Sequence, residues 1–207
     1  MAVPEIILAS ASPRRAALLE QIGLPFRTHP SAPGDDGEVR LAAETPRTYA
    51  CRLALAKARE VADRLDTGLV IGADTVVACR DHLFGKPRTQ EEAMGFLLAL
   101  AGQTHQVITG VAVIEVETAR IEEDAAETAV TMRAFGAAEA ARYVATGEPM
   151  DKAGAYGIQG RGALLVDGIQ GDYFNVVGLP LGLLATLLRR FGIDLWGPAD
   201  KDDPCPR

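Results

Sequence analysis

Apolar residues along the chain follow two spacings, and the points where one gives way to the other outline the elements. Residues 5–9 (EIILA) form a short apolar run that predicts a buried strand. Ser12 and Pro13 then precede RRAALLEQI and Gly23. A cap residue, a proline at the first helical position and a closing glycine predict a helix there. Residues 26–29 read as a second short strand, and residues 30–44, rich in Pro, Gly and acid, as a loop. Thr45-Pro46 opens a second helix to about Leu65, with Tyr49, Leu53, Ala56 and Val61 on one face. Residues 69–79 (LVIGADTVVAC) are apolar and β-branched, broken only by the charge of Asp74, and predict a central strand.

Residues 80–82 read as a turn, with Leu83-Phe84 starting a return. Thr89 and Glu92 have the spacing of a capping box for a helix that ends before Gly102. Residues 107–118 predict a long strand, paired as a hairpin with 129–135 across a polar, acidic loop. A short helix is expected over 137–146, a glycine-rich loop over 151–162, two short strands at 164–166 and 173–177, and a last helix from Pro180 to near Phe191. Residues 197–207 read as a mobile tail. This order mixes helices with hairpins and lacks steady βαβ alternation. It predicts a mixed α/β (α+β) fold: an elongated, partly antiparallel mixed sheet flanked by helices, in one domain over 1–196, with a cleft between two lobes.

Composition narrows the function classes. The 207 residues are 48% hydrophobic and 24% charged, with a formal net charge of −7. An acidic chain does not hold nucleic acid through its general field, so any anionic ligand needs a local cluster of cations. Cys51, Cys79 and Cys205 lie far apart with no CxxC spacing, which predicts reduced thiols rather than zinc or a disulfide framework. The N-terminus lacks a basic region and a long apolar core, and no apolar stretch reaches the ~18 residues of a membrane span, so a cytoplasmic protein is expected.

Four segments carry candidate chemistry. Ser10-Ala-Ser12-Pro-Arg14-Arg15 lies between a strand and a helix start, where free amides favour an anion and arginines grip phosphate oxygens. Two arginines in a first turn oppose the helix dipole, which a purely structural reading must explain. The P-loop pattern is absent. Asp74, inside an apolar strand, is costly to bury unless paired or bound to metal, so it reads as a metal ligand, a proton acceptor or a structural acid. Lys57 and Lys86 are point charges suited to a polyphosphate, though a lone lysine is more often simply solvated. In residues 151–160 (DKAGAYGIQG), glycines allow close backbone approach and Gln159 offers a donor and an acceptor to a base edge; the alternative is a flexible surface loop. His29, His82 and His105 show no ligand spacing and read as incidental.

LASASPRR, LALAKA, IGADTVV, GKPRT, LAGQTHQVITGV, DKAGAYGIQG and GDYFNVVGLPL occur in this order between residues 8 and 181. Together they resemble the Maf family of nucleotide pyrophosphatases. The resemblance implies hydrolysis between the α and β phosphates with a divalent metal, Mg or Mn, and an acid at Asp74 that accepts a proton. It places Ser10, Arg14, Arg15, Lys57 and Lys86 at the phosphates. It implies a second site carboxylate, best matched by Glu38, with Asp35 and Asp36 as alternatives in a longer loop. Asp74 and Glu38 are then the expected metal ligands. Arg14, Thr75 and Gln159 resemble the branch that takes dTTP and UTP. Relatives are often dimers, so a homodimer is the implied assembly. A purine- or methylated-nucleotide pyrophosphatase and a non-catalytic nucleotide-binding regulator of cell division are the competing readings.

Overall fold

The computed structural model describes residues 4–32, 41 and 43–196, and among them seven strands join in one mixed sheet. Strand β1 (Ile6–Leu8) runs parallel to β2 (Arg27–Thr28) on one side and to β3 (Leu69–Cys79) on the other. A short antiparallel return, β4 (His82–Phe84), pairs with the end of β3. The sheet continues antiparallel through β5 (Thr104–Glu115), β6 (Arg120–Met132) and β7 (Val166–Gln170).

Strand β3 organises the rest. β5 pairs with it from Leu69 to Ala78 and so occupies one edge. β1 and β4 share the other edge, at 69–71 and 77–79, and leave residues 72–76 without a strand neighbour there among the described residues. The parallel pair β1–β3 thus ends where the sheet edge opens, the kind of strand-end crevice in which α/β sheets bind ligands.

Alternation along β3 sorts its side chains between two buried faces. Leu69, Ile71 and Ala73 join a core with α1 (Pro13–Gln21) and, from the far end of the chain, the last helix, through Leu18, Leu19, Leu184 and Leu187. Val77 and Cys79, on the same face, belong to a second core with Leu97, Val130 and Tyr143. Thr75 lies between these two cores, which gives physical form to the expected cleft between lobes. On the opposite face, Val70 and Val76 pack under α2 (Pro46–Ala62).

Helix α2 lies unusually close to the sheet because small residues meet. A Cβ added at Gly72 would overlap the carbonyl oxygen of Ala54 and approach Ala58 N to 2.8 Å, and one at Gly110 would overlap the backbone of Ala50. The remaining helices are α3 (Gln90–Leu100), α4 (Ala137–Val144), α5 (Tyr173–Val177) and α6 (Leu181–Arg190). The Thr89 hydroxyl caps α3 from Glu92 N, as the capping box predicts, while the Glu92 carboxylate accepts from Arg88 N.

The structure corrects three sequence-based expectations. Residues 173–177 form the helix α5 rather than a strand. The Asp172 carboxylate accepts from Phe174 N, and buried Asn175 donates to Val107 O and Thr128 Oγ1, so capping and tertiary hydrogen bonds override the β-branched composition. Residues 160–165 form a 3-10 turn, and the strand follows at 166–170. The acidic segment expected as the hairpin loop is part of β6. Three of its acids are paired across the surface, Glu122 with Arg120 and Arg190, and Asp124 and Glu127 with Arg47. The expected tail at 197–207 and the carboxylates Asp35, Asp36 and Glu38 lie outside the described residues.

Candidate active site

The segment between β1 and α1 is built to leave donors free. Ser12 occupies the cap position of α1, but its side chain makes no capping bond. Pro13 has no N–H, and the amides of Arg14 and Arg15 have no acceptor among the described residues. The buried Ser10 hydroxyl oxygen accepts from Ser12 N (3.2 Å) and Arg15 Nη1 (3.1 Å), which leaves its own O–H to donate. A helix start with unspent amides and a free hydroxyl is an anion site.

The two arginines have different roles. Arg15 turns inward and donates to Gly178 O (2.7 Å), Ser10 Oγ and Thr75 Oγ1 (3.2 Å), tying α1 to the floor of the crevice. Burial lowers its guanidinium from the ordinary arginine value; the charge of Asp74 opposes that shift and Arg14 adds to it. Arg14 points along the mouth and pairs with Asp151 at 2.7 Å. Asp151 also binds Lys152 Nζ at 2.6 Å. Burial pushes the Asp151 carboxyl up, but the hydrogen bonds from Lys152 and Arg14 together outweigh it and hold it below the usual carboxylate range.

Asp74 lies on the α2 face of β3, two residues beyond Gly72. The close approach of α2 brings Lys57 Nζ onto Asp74 Oδ1. Asp74 Oδ2 has no hydrogen-bond partner among the described residues, so half of this carboxylate is available for chemistry. On the floor, Thr75 Oγ1 bonds to Thr109 Oγ1 (2.9 Å), and Thr109 donates to Asn175 O (2.9 Å). Exposed Lys86 follows β4 and has no ion-pair partner among the described residues.

A single cavity of about 380 Å³ joins these groups: Ser10, Arg14, Arg15, Lys57, Asp74, Thr75, Lys86 and Gln159 all line it. Every described residue expected at the site from the sequence is therefore brought together, and Glu38 lies outside the described residues. Sequence reasoning did not single out three contributors. Lys152 adds another cation, Asp151 clamps Arg14, and Thr109 anchors Thr75. The adjacent charges of Asp151 and Lys152 were visible in the glycine-rich segment, but their pairing with a helix 137 positions away was not.

Tyr156 also lines the cavity and is backed by His105, with Oη and Nε2 2.7 Å apart. His105 therefore has a structural role rather than an incidental one. Burial lowers its pKa to about 4 from 6.5, and its Nδ1 has no hydrogen-bond partner among the described residues. The folded chain thus binds this proton less readily than the unfolded chain. The associated stability is whole above pH 6.5 and is lost as pH falls toward about 4, by up to roughly 3 kcal/mol. His105→Gln is expected to flatten the acid limb of a plot of urea midpoint against pH over that window. An unchanged slope would show that another group is responsible.

The chain matches the family model described as Maf-like protein over residues 5–191. It is 53% identical to the dTTP/UTP pyrophosphatase of Moorella thermoacetica over 193 residues, covering 93% of this chain and 98% of that one. It is 47% identical to the dTTP/UTP pyrophosphatase of Dictyoglomus turgidum, covering 92% and 98%. Among solved structures, the Staphylococcus aureus Ham1 protein superposes with a TM-score of 0.50 at 15% identity over 90% of this chain and 99% of that one, a likeness of fold alone. With its motifs in order, its site assembled and relatives at about half identity over nearly the whole chain, the protein belongs to the Maf-like family.

Proposed function

We propose that the chain hydrolyses the α–β phosphoanhydride of dTTP and UTP, releasing the nucleoside monophosphate and pyrophosphate. One observation carries the reading: a single cavity holds separated cations, free helix-start amides and one half-free carboxylate. The names of the similar proteins point to the same substrates. Arg14, Lys57, Lys86 and the α1 amides neutralise and orient the triphosphate, with Ser10 and the remaining donors of Arg15 beside them. Asp74 takes a proton from the attacking water. The new P–O bond forms as the bond to pyrophosphate breaks, and the cations stabilise the charge that moves onto the leaving group. Catalysis of this kind is mainly positioning and electrostatic stabilisation.

The donor set fits a divalent cation of the Mg or Mn type. Mg²⁺ is usually held by one or two carboxylates together with substrate phosphates, and Asp74 Oδ2 is available as one such ligand. Among the described residues no cluster of three His, Cys, Asp or Glu could hold a metal ion by itself, and the second carboxylate expected from the sequence, Glu38 or its neighbours, lies outside them. When bound, such an ion would supply charge neutralisation at the phosphates. A cytoplasmic setting suits this substrate and the free Cys51 and Cys79, and among the described residues no helix is long and apolar enough to cross a membrane. A homodimer is part of the same reading.

Pyrophosphate release measured on a panel of pyrimidine and purine triphosphates tests the proposal. The expected result is turnover of dTTP and UTP well above that of purines. No release from any of them would leave only nucleotide binding. Gln159 lines the cavity away from the phosphate cations in sequence, and its amide matches a ring carbonyl and ring N–H together. Gln159→Ala is expected to lower kcat/KM for dTTP relative to dATP by about tenfold or more, as for a site that loses a paired polar contact. Equal losses on both nucleotides would remove Gln159 from base selection.

A further inference from the structure

The Gln159 segment is held from behind by two side chains that do not line the cavity. Glu148 opens the 3-10 turn Glu148–Asp151, and its carboxylate accepts three hydrogen bonds. Oε1 takes Gly162 N at 3.0 Å and the Tyr143 hydroxyl at 2.8 Å, and Oε2 takes Arg161 N at 3.0 Å. The Tyr143 oxygen in turn accepts from Gly157 N at 3.2 Å. Both flanks of Gln159 are therefore fixed to one carboxylate–phenol pair, while the Gln159 side chain, exposed at the cavity, has no hydrogen-bond partner among the described residues.

The local sequence suits this arrangement. Gly160 has φ +64°, and a Cβ there would come within 2.9 Å of Glu148 Oε2. A Cβ at Gly162 would press on Gly157 O and on the Tyr143 hydroxyl, 2.5 Å away. Burial raises the Glu148 carboxyl, but the bonds from Gly162 N, Tyr143 and Arg161 N outweigh it and keep it below its ordinary value, so it remains an acceptor on both oxygens. The same short turn reaches the phosphate side, since Lys152 Nζ donates to Glu148 O at 2.6 Å and Asp151 clamps Arg14.

We propose that Glu148, with Tyr143, is a positioning residue for base selection, holding residues 157–162 so that the Gln159 amide meets the base in a fixed orientation. This rests on the base-reading role proposed for Gln159. A recognising amide is selective only when its support holds it to within a fraction of an ångström, and a mobile loop would spread that orientation. Glu148→Gln disrupts the support with little change in shape. Its amide oxygen can replace only one carboxylate oxygen, and its NH₂ then faces another backbone N–H.

The test compares kcat/KM for dTTP and dATP in the full chain, with inhibition by inorganic tripolyphosphate as a reading of the phosphate site. Glu148→Gln is expected to lower the dTTP/dATP ratio about tenfold, chiefly through KM for dTTP, while tripolyphosphate inhibition stays within about twofold. In a Gln159→Ala background, adding Glu148→Gln is expected to change the ratio less than about twofold, because residues that act through one contact are not additive. Tyr143→Phe, which keeps the ring and removes both hydroxyl contacts, is expected to give a smaller loss of the same kind and carries the test if Glu148→Gln does not fold. A wild-type ratio in the folded Glu148 or Tyr143 variant overturns the proposal, as does an additive loss in the Gln159→Ala background. If the wild-type chain itself shows no preference for dTTP, the base reading of Gln159 fails and this inference falls with it. If it does discriminate and the Glu148 variant is unchanged, only the positioning role is lost.

Discussion

Asp74→Asn is expected to fold normally and to lose more than ~100-fold in turnover, the order associated with removal of a general base. That loss corresponds to about 2.7 kcal/mol of transition-state stabilisation. The substitution keeps the shape of the side chain and an oxygen that can still accept from Lys57 Nζ, so the link between α2 and β3 is retained. What disappears is the carboxylate oxygen that has no partner among the described residues. An amide cannot take the water's proton there and binds a divalent cation less well. Pyrophosphate release under saturating dTTP, paired with a thermal melt, checks both halves of the expectation. Turnover within tenfold of wild type, with an unchanged melt, would exclude Asp74 as proton acceptor.

Gly72→Ala tests the packing that makes this pair possible. The added methyl group would overlap Ala54 O and sit 2.8 Å from Ala58 N, both rigid helix backbone. Side-chain rotation cannot relieve that contact, so α2 must move away from the sheet. Overpacking of this kind costs typically up to about 3 kcal/mol and occasionally more, and the backbone contact places Gly72 at the upper end. For a domain of this size that is a fall of roughly 6–12 °C in Tm. Lys57 lies on α2 between Ala54 and Ala58, so its contact with Asp74 should loosen and turnover should fall beyond the loss of stability. Gly95→Ala is the control. It sits inside α3 with no atom within 4 Å of an added Cβ, and helix propensity predicts a gain of up to about 1 kcal/mol. Equal melting temperatures for the Gly72 and Gly95 variants would mean that the helix–sheet contact is softer than its geometry suggests.

The two substitutions probe one device from opposite ends. Burying a carboxylate in a central strand is unfavourable unless it is paired. Here the pairing cation comes from a helix, and the helix reaches the strand only because glycine faces alanine. The unpaired edge at residues 72–76 then gives ligands access to a strand that is otherwise covered on both faces.

Much of this was legible in the sequence, because local chemistry carries it. The apolar run of β3, the Pro13 and Gly23 limits of α1 and the capping box of α3 each announce an element from neighbouring residues alone. The ordered motifs also picked out Ser10, Arg14, Arg15, Lys57, Asp74, Thr75, Lys86 and Gln159, which line the cavity, because each stands in a short segment of recognisable local chemistry. Tertiary structure decided what local chemistry left open. Residues 173–177 have strand-like composition, yet Asn175 finds its partners on β5 and β6, and those long-range bonds make the segment a helix. The arginines of α1 look equivalent in sequence, but burial commits Arg15 to Gly178 and Thr75 while Arg14 meets Asp151 at the mouth. Partners such as these are separated by 47 to 163 positions, and nothing in the pattern of one segment encodes the orientation of another. Propensity and capping act over a few residues, so the sequence by itself determined the elements and the chemical inventory. Which donors are consumed by the fold and which remain for a ligand depends on packing across the whole chain, and only the tertiary structure decided it.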